Sequence, residues 1–284
     1  MKCFYHSADL DGQCSGAIVK MKYHECEMIG INYGDEFPWE TIGQGEKVFM
    51  VDFSLEPYPE MRKLDIVADP LIWIDHHKSA IEENEEWLKS GKEHILGLQQ
   101  IGRGACQLVW RYLWQGSESR PIPTFVKLLA EHDVWDHSDP RTLSFQYGMR
   151  QYDTNPENQD FWREFFDVER VQQVTEQGSI ILNYEISQNE KYIQSCAFET
   201  ELDGLKCIAV NKVLANSQLF DSIWDPEKYD AMLTFGFRNG QWTVSLYSDK
   251  DNVDVSVIAK NRGGGGHKGA AGFQCESLPF QLRS

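Results

Sequence analysis

The run Leu71-Ile72-Trp73-Ile74-Asp75-His76-His77 limits what this chain can fold into more than any other stretch does. Four apolar residues without alternation read as a strand buried on both faces, as in a parallel sheet covered by helices. A carboxylate and two imidazoles follow at its carboxyl end, where open α/β sheets form ligand crevices. Adjacent histidines of an extended chain point to opposite faces, so the spacing predicts that one joins a metal cluster and the other faces substrate. Alone, the tripeptide reads better as a strand end with two solvated histidines. Its weight comes from similar segments elsewhere.

Residues 2–6 read as a strand and 12–21 as the helix after it. The connecting segment His6-Ser7-Ala8-Asp9-Leu10-Asp11-Gly12 carries aspartates two apart. On an extended chain these project to one side and suit neighbouring metal ions, while helix capping by Asp11 is the plain alternative. Residues 27–33 and 47–51 read as further strands, the second running into Asp52-Phe53-Ser54. An acidic helical stretch through Leu88 reads as a solvated face. Gly102-Arg103-Gly104 then leads into an amphipathic helix bearing Leu108, Val109, Tyr112 and Leu113. Arg103 is placed either to meet an anion at that helix start or to remain solvated. Residues 125–130 read as a helix that ends in Glu131-His132-Asp133-Val134-Trp135-Asp136-His137, and spacing alone selects no member of that cluster.

The 284 residues amount to one large or two ordinary domains. A 41% hydrophobic and 12% aromatic composition excludes disorder. The 27 Lys and Arg against 44 Asp and Glu give a formal charge of -17, which disfavours long duplex nucleic acid as a partner and favours short anionic substrates. Seven cysteines without C-x-x-C spacing fit reduced thiols. Asp9 interrupts any secretory apolar region, and no apolar run is long enough to span a membrane. The expectation is a soluble, cytoplasmic protein with no membrane partner, and a homodimer is possible.

Farther on, Val171, Val174, Ile181, Leu182, Ile186 and Ile193 recur at helical spacing and predict a packed connecting helix over 169–195. Residues 198–202, 206–211, 230–237 and 241–248 read as strands, with Asn239-Gly240 a hairpin turn, and 217–224 and 255–262 as helices. The expected fold is α/β. A mainly parallel N-terminal sheet flanked by helices occupies 1–168, the connecting helix follows, and a smaller α/β domain fills 196–284. Successive glycines at 263–266 let backbone amides converge on an anion, with Arg262 and His267 adding charge and hydrogen bonds. Arg262, Gly264, Gly265, Gly266 and His267 are therefore candidate substrate contacts, a flexible linker being the alternative.

In order along the chain, His6-x-x-Asp9-x-Asp11-Gly12, Val51-Asp52-Phe53-Ser54, Asp75-His76-His77 and His132-Asp133-x-Trp135 resemble the four N-terminal motifs of the DHH phosphoesterase superfamily. Arg262-Gly263-Gly264-Gly265-Gly266-His267-Lys268-Gly269-Ala270-Ala271-Gly272-Phe273 resembles the signature of the DHH-associated C-terminal domain. The resemblance implies two divalent cations, manganese ahead of magnesium. His6, Asp9 and Asp52 would hold one, and Asp11, Asp52, His76 and Asp133 the other, with Asp52 bridging. It makes Asp75 the group that orients a histidine and His77 the group that faces the scissile phosphate, and leaves His132, Asp136 and His137 to structure or the rim. Familiar members place the first histidine one residue further upstream, with proline before the first aspartate; Ala8 stands there in this chain.

The implied activity is hydrolysis of short nucleotide phosphoesters by two-metal-activated water. Short oligoribonucleotides, dinucleotides and nucleotide bisphosphates are the substrate class, expected to lie between the two domains with the glycine-rich segment on the distal phosphate. The alternatives are a pyrophosphatase or polyphosphatase of the same superfamily, which has a different C-terminal signature, and a nucleotide-binding sensor without turnover. A long-strand exonuclease would need further basic binding surface.

Overall fold

In the computed structural model, which describes residues 1–91, 93–114 and 120–282, the chain divides into two units, Met1–Leu182 and Asn183–Ser284. The first is built on a sheet of β1 (Lys2–His6), β2 (Glu27–Ile31), β3 (Val48–Val51), β4 (Leu71–Asp75) and β5 (Leu96–Gln99). Their order is β2-β1-β3-β4-β5, and every pairing is parallel. Strands β3 and β4 are buried on both faces, which is why they read as unbroken apolar runs.

Around the sheet lie α1 (Leu10–Lys22), α2 (Pro59–Val67), α3 (Lys78–Lys89), α4 (Ala105–Trp114), α5 (Thr124–Asp133), α6 (Thr142–Met149) and α7 (Gln159–Glu164). Alternation of strand side chains sorts the packing into two layers. Cys3, Tyr5, Phe49, Val51, Ile72 and Ile74 face α1, α4 and α5, whereas Phe4, Val48, Met50 and Trp73 face α2 and α3. The chain therefore leaves β1 for one face and the neighbouring β3 for the other. The space between those two strand ends is the topological switch point.

The long helix α8 (Val168–Cys196) appears within a residue of its expected limits at each end. Its stripe is not continuous packing as expected. Val171 and Val174 are buried in the first unit and Ile193 in the second, but Ile186 is exposed.

The second unit holds β6 (Phe198–Leu202), β7 (Leu205–Asn211), β8 (Ala231–Arg238), β9 (Gln241–Tyr247), α9 (Val255–Lys260), β10 (Gly265–His267) and β11 (Ala270–Cys275). The sheet order is β10-β11-β9-β8-β7-β6, antiparallel except for β7 beside β8. The Asn239-Gly240 turn has φ of 53° and 83°, as a tight hairpin requires. Residues 217–224, expected to be helical, contain only the short turn Ser217–Phe220. Strand β5 and helices α6 and α7 had no sequence expectation. All three are short, and β5 contains Gly97 and is only partly buried, so its periodicity is weak.

The glycine run differs most from expectation. Only its start is a turn, and from Gly265 it is an edge strand paired with β11. A Cβ on Gly264 would come within 2.1 Å of the Gly272 carbonyl, and one on Gly266 within 2.5 Å of Ala271 Cα. Close backbone approach in the sheet requires these glycines whatever they bind. No described helix is long and apolar enough to cross a membrane.

Candidate metal centre

Every side chain of interest in the first unit comes from a strand end or helix end near the switch point. His6 ends β1 and Asp9 caps α1, accepting the Gly12 amide at 2.9 Å. Glycine follows Asp11 for a steric reason: a Cβ at position 12 would lie 2.1 Å from the His6 carbonyl oxygen. Asp11 does not cap its own helix. Its buried carboxylate accepts the Ala105 amide at 2.5 Å and the Cys106 amide at 2.9 Å, both at the start of α4. The positive end of that helix fixes the carboxylate, and each oxygen keeps a further lone pair. Asp52 follows β3 with φ of 55°, a left-handed conformation uncommon for non-glycine residues.

Strand β4 ends at Asp75, and the two histidines do not lie on opposite faces of it. Asp75 is fully buried and accepts the backbone amides of His76 at 2.7 Å and His77 at 3.2 Å, which turns the chain into α3. The two rings end up 4.7 Å apart. His77 Nδ1 lies 2.7 Å from Asp75, so its Nε2 is turned away from that carboxylate.

The distances close the cluster. His76 Nε2 is 3.2 Å from Asp52 Oδ1, 3.1 Å from Asp133 Oδ2 and 4.0 Å from Asp11 Oδ2. His6 Nδ1 is 2.9 Å from Asp9 Oδ2 and 3.7 Å from Asp52 Oδ2, despite the shortened spacing of its motif. His6, Asp9 and Asp52 offer ligand atoms within 4.8 Å of one another, as do Asp11, His76 and Asp133, and Asp52, His76 and His77. One fold feature thus brings together seven residues spread from position 6 to position 133.

No family model matches the chain. It is 28% identical over 254 residues to an uncharacterized protein of Acanthamoeba polyphaga mimivirus, covering 84% of this chain but only 56% of that relative's length. It is 24% identical over 317 residues to oligoribonuclease NrnB of Bacillus subtilis, covering 98% of this chain and 74% of that protein. Among solved structures, the pGpG-specific phosphodiesterase PggH from Vibrio cholerae shares the fold with a TM-score of 0.55 at 11% identity, covering 96% of this chain and 92% of that one. An exopolyphosphatase-related protein from Bacteroides fragilis does so with a TM-score of 0.50 at 12% identity, covering 98% and 87%. These similarities agree with the resemblance to DHH phosphoesterases that the motifs carry.

The electrostatics of this centre favour positive charge among its carboxylates. Burial, reinforced by neighbouring carboxylates, pushes Asp52 and Asp133 well above the usual carboxylate range, and burial also raises Asp11. Burial opposes protonation of His6, yet Asp52 and Asp9 push it up to about 10. His77 likewise rises to about 9 against burial because of Asp75. Both carboxylate oxygens of Asp52 and Nδ1 of His6 are buried without an aligned hydrogen bond. Unmet buried acceptors are costly, and cations among them reverse that cost. The mixed imidazole and carboxylate donor set fits a divalent transition ion.

Other residues of the first unit carried little sequence signal. Tyr33, just past β2, sets its ring 5.7 Å from His6 and 6.1 Å from His77 and packs on Phe53 at 4.6 Å. No motif marks it. His132 and Trp135 line a cavity beside Asp133, together with Gln146 and Arg150. Burial, Arg150 and His137 lower His132 to about 4. Arg103 is exposed, and none of the described contacts of the cluster involves it. In the second unit, Arg262 gives its guanidinium to Asp203 at 2.8 and 2.6 Å and stands over the Phe273 ring, so its charge is already engaged. Gly264 enters β10, which contains Gly265, Gly266 and the exposed His267.

Proposed function

We propose that this chain is a divalent-cation-dependent phosphohydrolase of short nucleotides, acting on short oligoribonucleotides, dinucleotides or nucleotide bisphosphates. The observation that carries the reading is the convergence of two ligand sets on Asp52, a buried carboxylate whose oxygens have no aligned hydrogen bond. His6, Asp9 and Asp52 would hold one cation, and Asp11, Asp52, His76 and Asp133 the other. When bound, two such ions activate water at neutral pH and neutralise charge on the phosphoryl group. Manganese is favoured over magnesium because imidazole donors suit it better.

The chain's own groups have distinct tasks. The start of α4 holds Asp11 in place through two amides. Asp75 fixes the His77 ring, whose other nitrogen is assigned to a phosphate oxygen. Gly264, Gly265, Gly266 and His267 are assigned to a phosphate remote from the reacting one. The names of two relatives, an oligoribonuclease and a pGpG-specific phosphodiesterase, support a short nucleotide substrate, as does the acidic chain.

The test is incubation of the manganese-loaded protein with short oligoribonucleotides, cyclic and linear dinucleotides, nucleotide bisphosphates, pyrophosphate and polyphosphate, with products separated by chromatography. Mononucleotides or nucleoside phosphates are expected as main products. Orthophosphate from pyrophosphate or polyphosphate as the dominant product would replace this reading with the polyphosphatase one.

A further inference from the structure

Within the first unit, a cavity of about 540 Å³ adjoins the cluster, with Asp9, Asp11 and Asp133 in its lining and Trp135, Gln146 and Arg150 elsewhere in it. That volume lies in the range of sites for organic ligands of roughly 300–1,000 Å³. A pyrophosphate would use little of the space and would gain nothing from an indole.

Three features of the cavity point to its occupant. Trp135, two residues after Asp133, is 51% exposed and holds φ of 58°. Leaving a large ring half in water forgoes hydrophobic stabilisation, and the left-handed backbone adds strain. The ring is nevertheless fixed, 4.8 Å from His137 and 5.8 Å from His132. Gln146, only 7% exposed, lines the same cavity with an Oε1 that has no hydrogen-bond partner. A buried amide oxygen left unmet beside open space is a group set to accept from a ligand. Arg150, exposed and 4.6 Å from the centre of the Tyr147 ring, puts a cation in an otherwise acidic surrounding.

We propose that this cavity is a nucleobase subsite. Trp135 stacks on the base of the nucleotide whose phosphate lies at the cluster, Gln146 accepts a hydrogen bond from the exocyclic amine of that base, and Arg150 meets the sugar-phosphate. The inference rests on the phosphohydrolase reading and narrows it to substrates that carry a base beside the scissile phosphate. Stacking tolerates any base, whereas an amide oxygen placed for an exocyclic amine favours adenine, cytosine and guanine over uracil, whose one base donor is its ring N3–H.

Calorimetry on the manganese-loaded protein with AMP, UMP and ribose 5-phosphate tests this directly. Wild type should bind AMP about tenfold more tightly than ribose 5-phosphate, the size of one base–aromatic stack. Trp135→Ala should remove most of that preference and leave ribose 5-phosphate unchanged, and Trp135→Phe should keep most of it. Gln146→Met should weaken AMP and spare UMP. Equal affinity for AMP and ribose 5-phosphate in wild type, or equal weakening of both by Trp135→Ala, would overturn the subsite. Dinucleotide hydrolysis followed in parallel separates the two readings. Turnover without any base preference defeats the subsite alone, whereas a base preference lost in Trp135→Ala, without hydrolysis of any phosphoester, supports the subsite and defeats the phosphohydrolase.

Discussion

The two sheets treat charge in opposite ways. In the parallel sheet every strand ends at the same edge, so β1, β3 and β4 deliver His6, Asp52 and Asp75 to one place and create buried charge without enough partners. In the mixed sheet neighbouring strands mostly run in opposite directions, and Glu199, Asp203 and Asp230 each pair with a cation at the surface. Arg262 holds Asp203 below the usual range, and Lys250 does the same for Asp230. Strand direction therefore decides whether polar residues accumulate into a site or disperse into ion pairs. The first unit should depend on cations for order as well as activity, and the second should not.

The strongest way to break this contrast is Asp52→Asn. It weakens both ligand sets at once, so manganese binding by calorimetry should fall toward zero and turnover by at least about a thousandfold, as several kcal/mol of charge stabilisation goes with the cations. Near-normal turnover in this variant would remove Asp52 from the bridging position.

Chelation should act on one unit only. Activity should vanish and return with manganese better than with magnesium, while hydrogen exchange accelerates around the ends of β1, β3 and β4 and stays unchanged in β7 to β9. Equal loosening of both units would erase the distinction. The chelated protein should also lose stability as pH rises. His6 and His77 have folded values near 10 and 9, so their contribution is complete below the ordinary histidine value of 6.5 and disappears through those higher values. Cation-loaded protein should show a flatter melting profile over the same range, because the ions supply the positive charge.

Smaller effects belong to the second unit. His267→Ala should lower hydrolysis of a short oligonucleotide by ~2 to 3 kcal/mol, the size of a charge-assisted contact, with manganese affinity unchanged and a nitrophenyl phosphate diester hardly affected. Loss of metal in that variant would tie the glycine-rich strand to the centre itself. Arg262→Ala removes an ion pair whose carboxylate side chain is 43% exposed, so urea titration should register less than about 1 kcal/mol of stability.

Much of the centre was legible in the sequence because strand ends are. An apolar run followed by a carboxylate marks both the element and the edge at which its side chain emerges, as with Val51-Asp52 and Ile74-Asp75. The role of Asp11 was not legible. Its two amide partners lie on α4, more than ninety positions away, and nothing local announces them. The cavity beside Asp133 is similar, since Gln146 looks like any polar residue of a short helix until folding buries its carbonyl.

The sequence by itself determined the two-part α/β order, the span of α8, the hairpin at Asn239-Gly240 and the set of ligand-type residues, because periodicity, turn chemistry and residue type are local properties. Tertiary structure decided the rest. It brought the two histidines onto one cluster through the buried Asp75, made an edge strand of the glycine run, and gave Arg262 to Asp203. Each of these outcomes depends on which distant backbone or carboxylate comes within hydrogen-bonding distance, and that distance is set only when the layers pack.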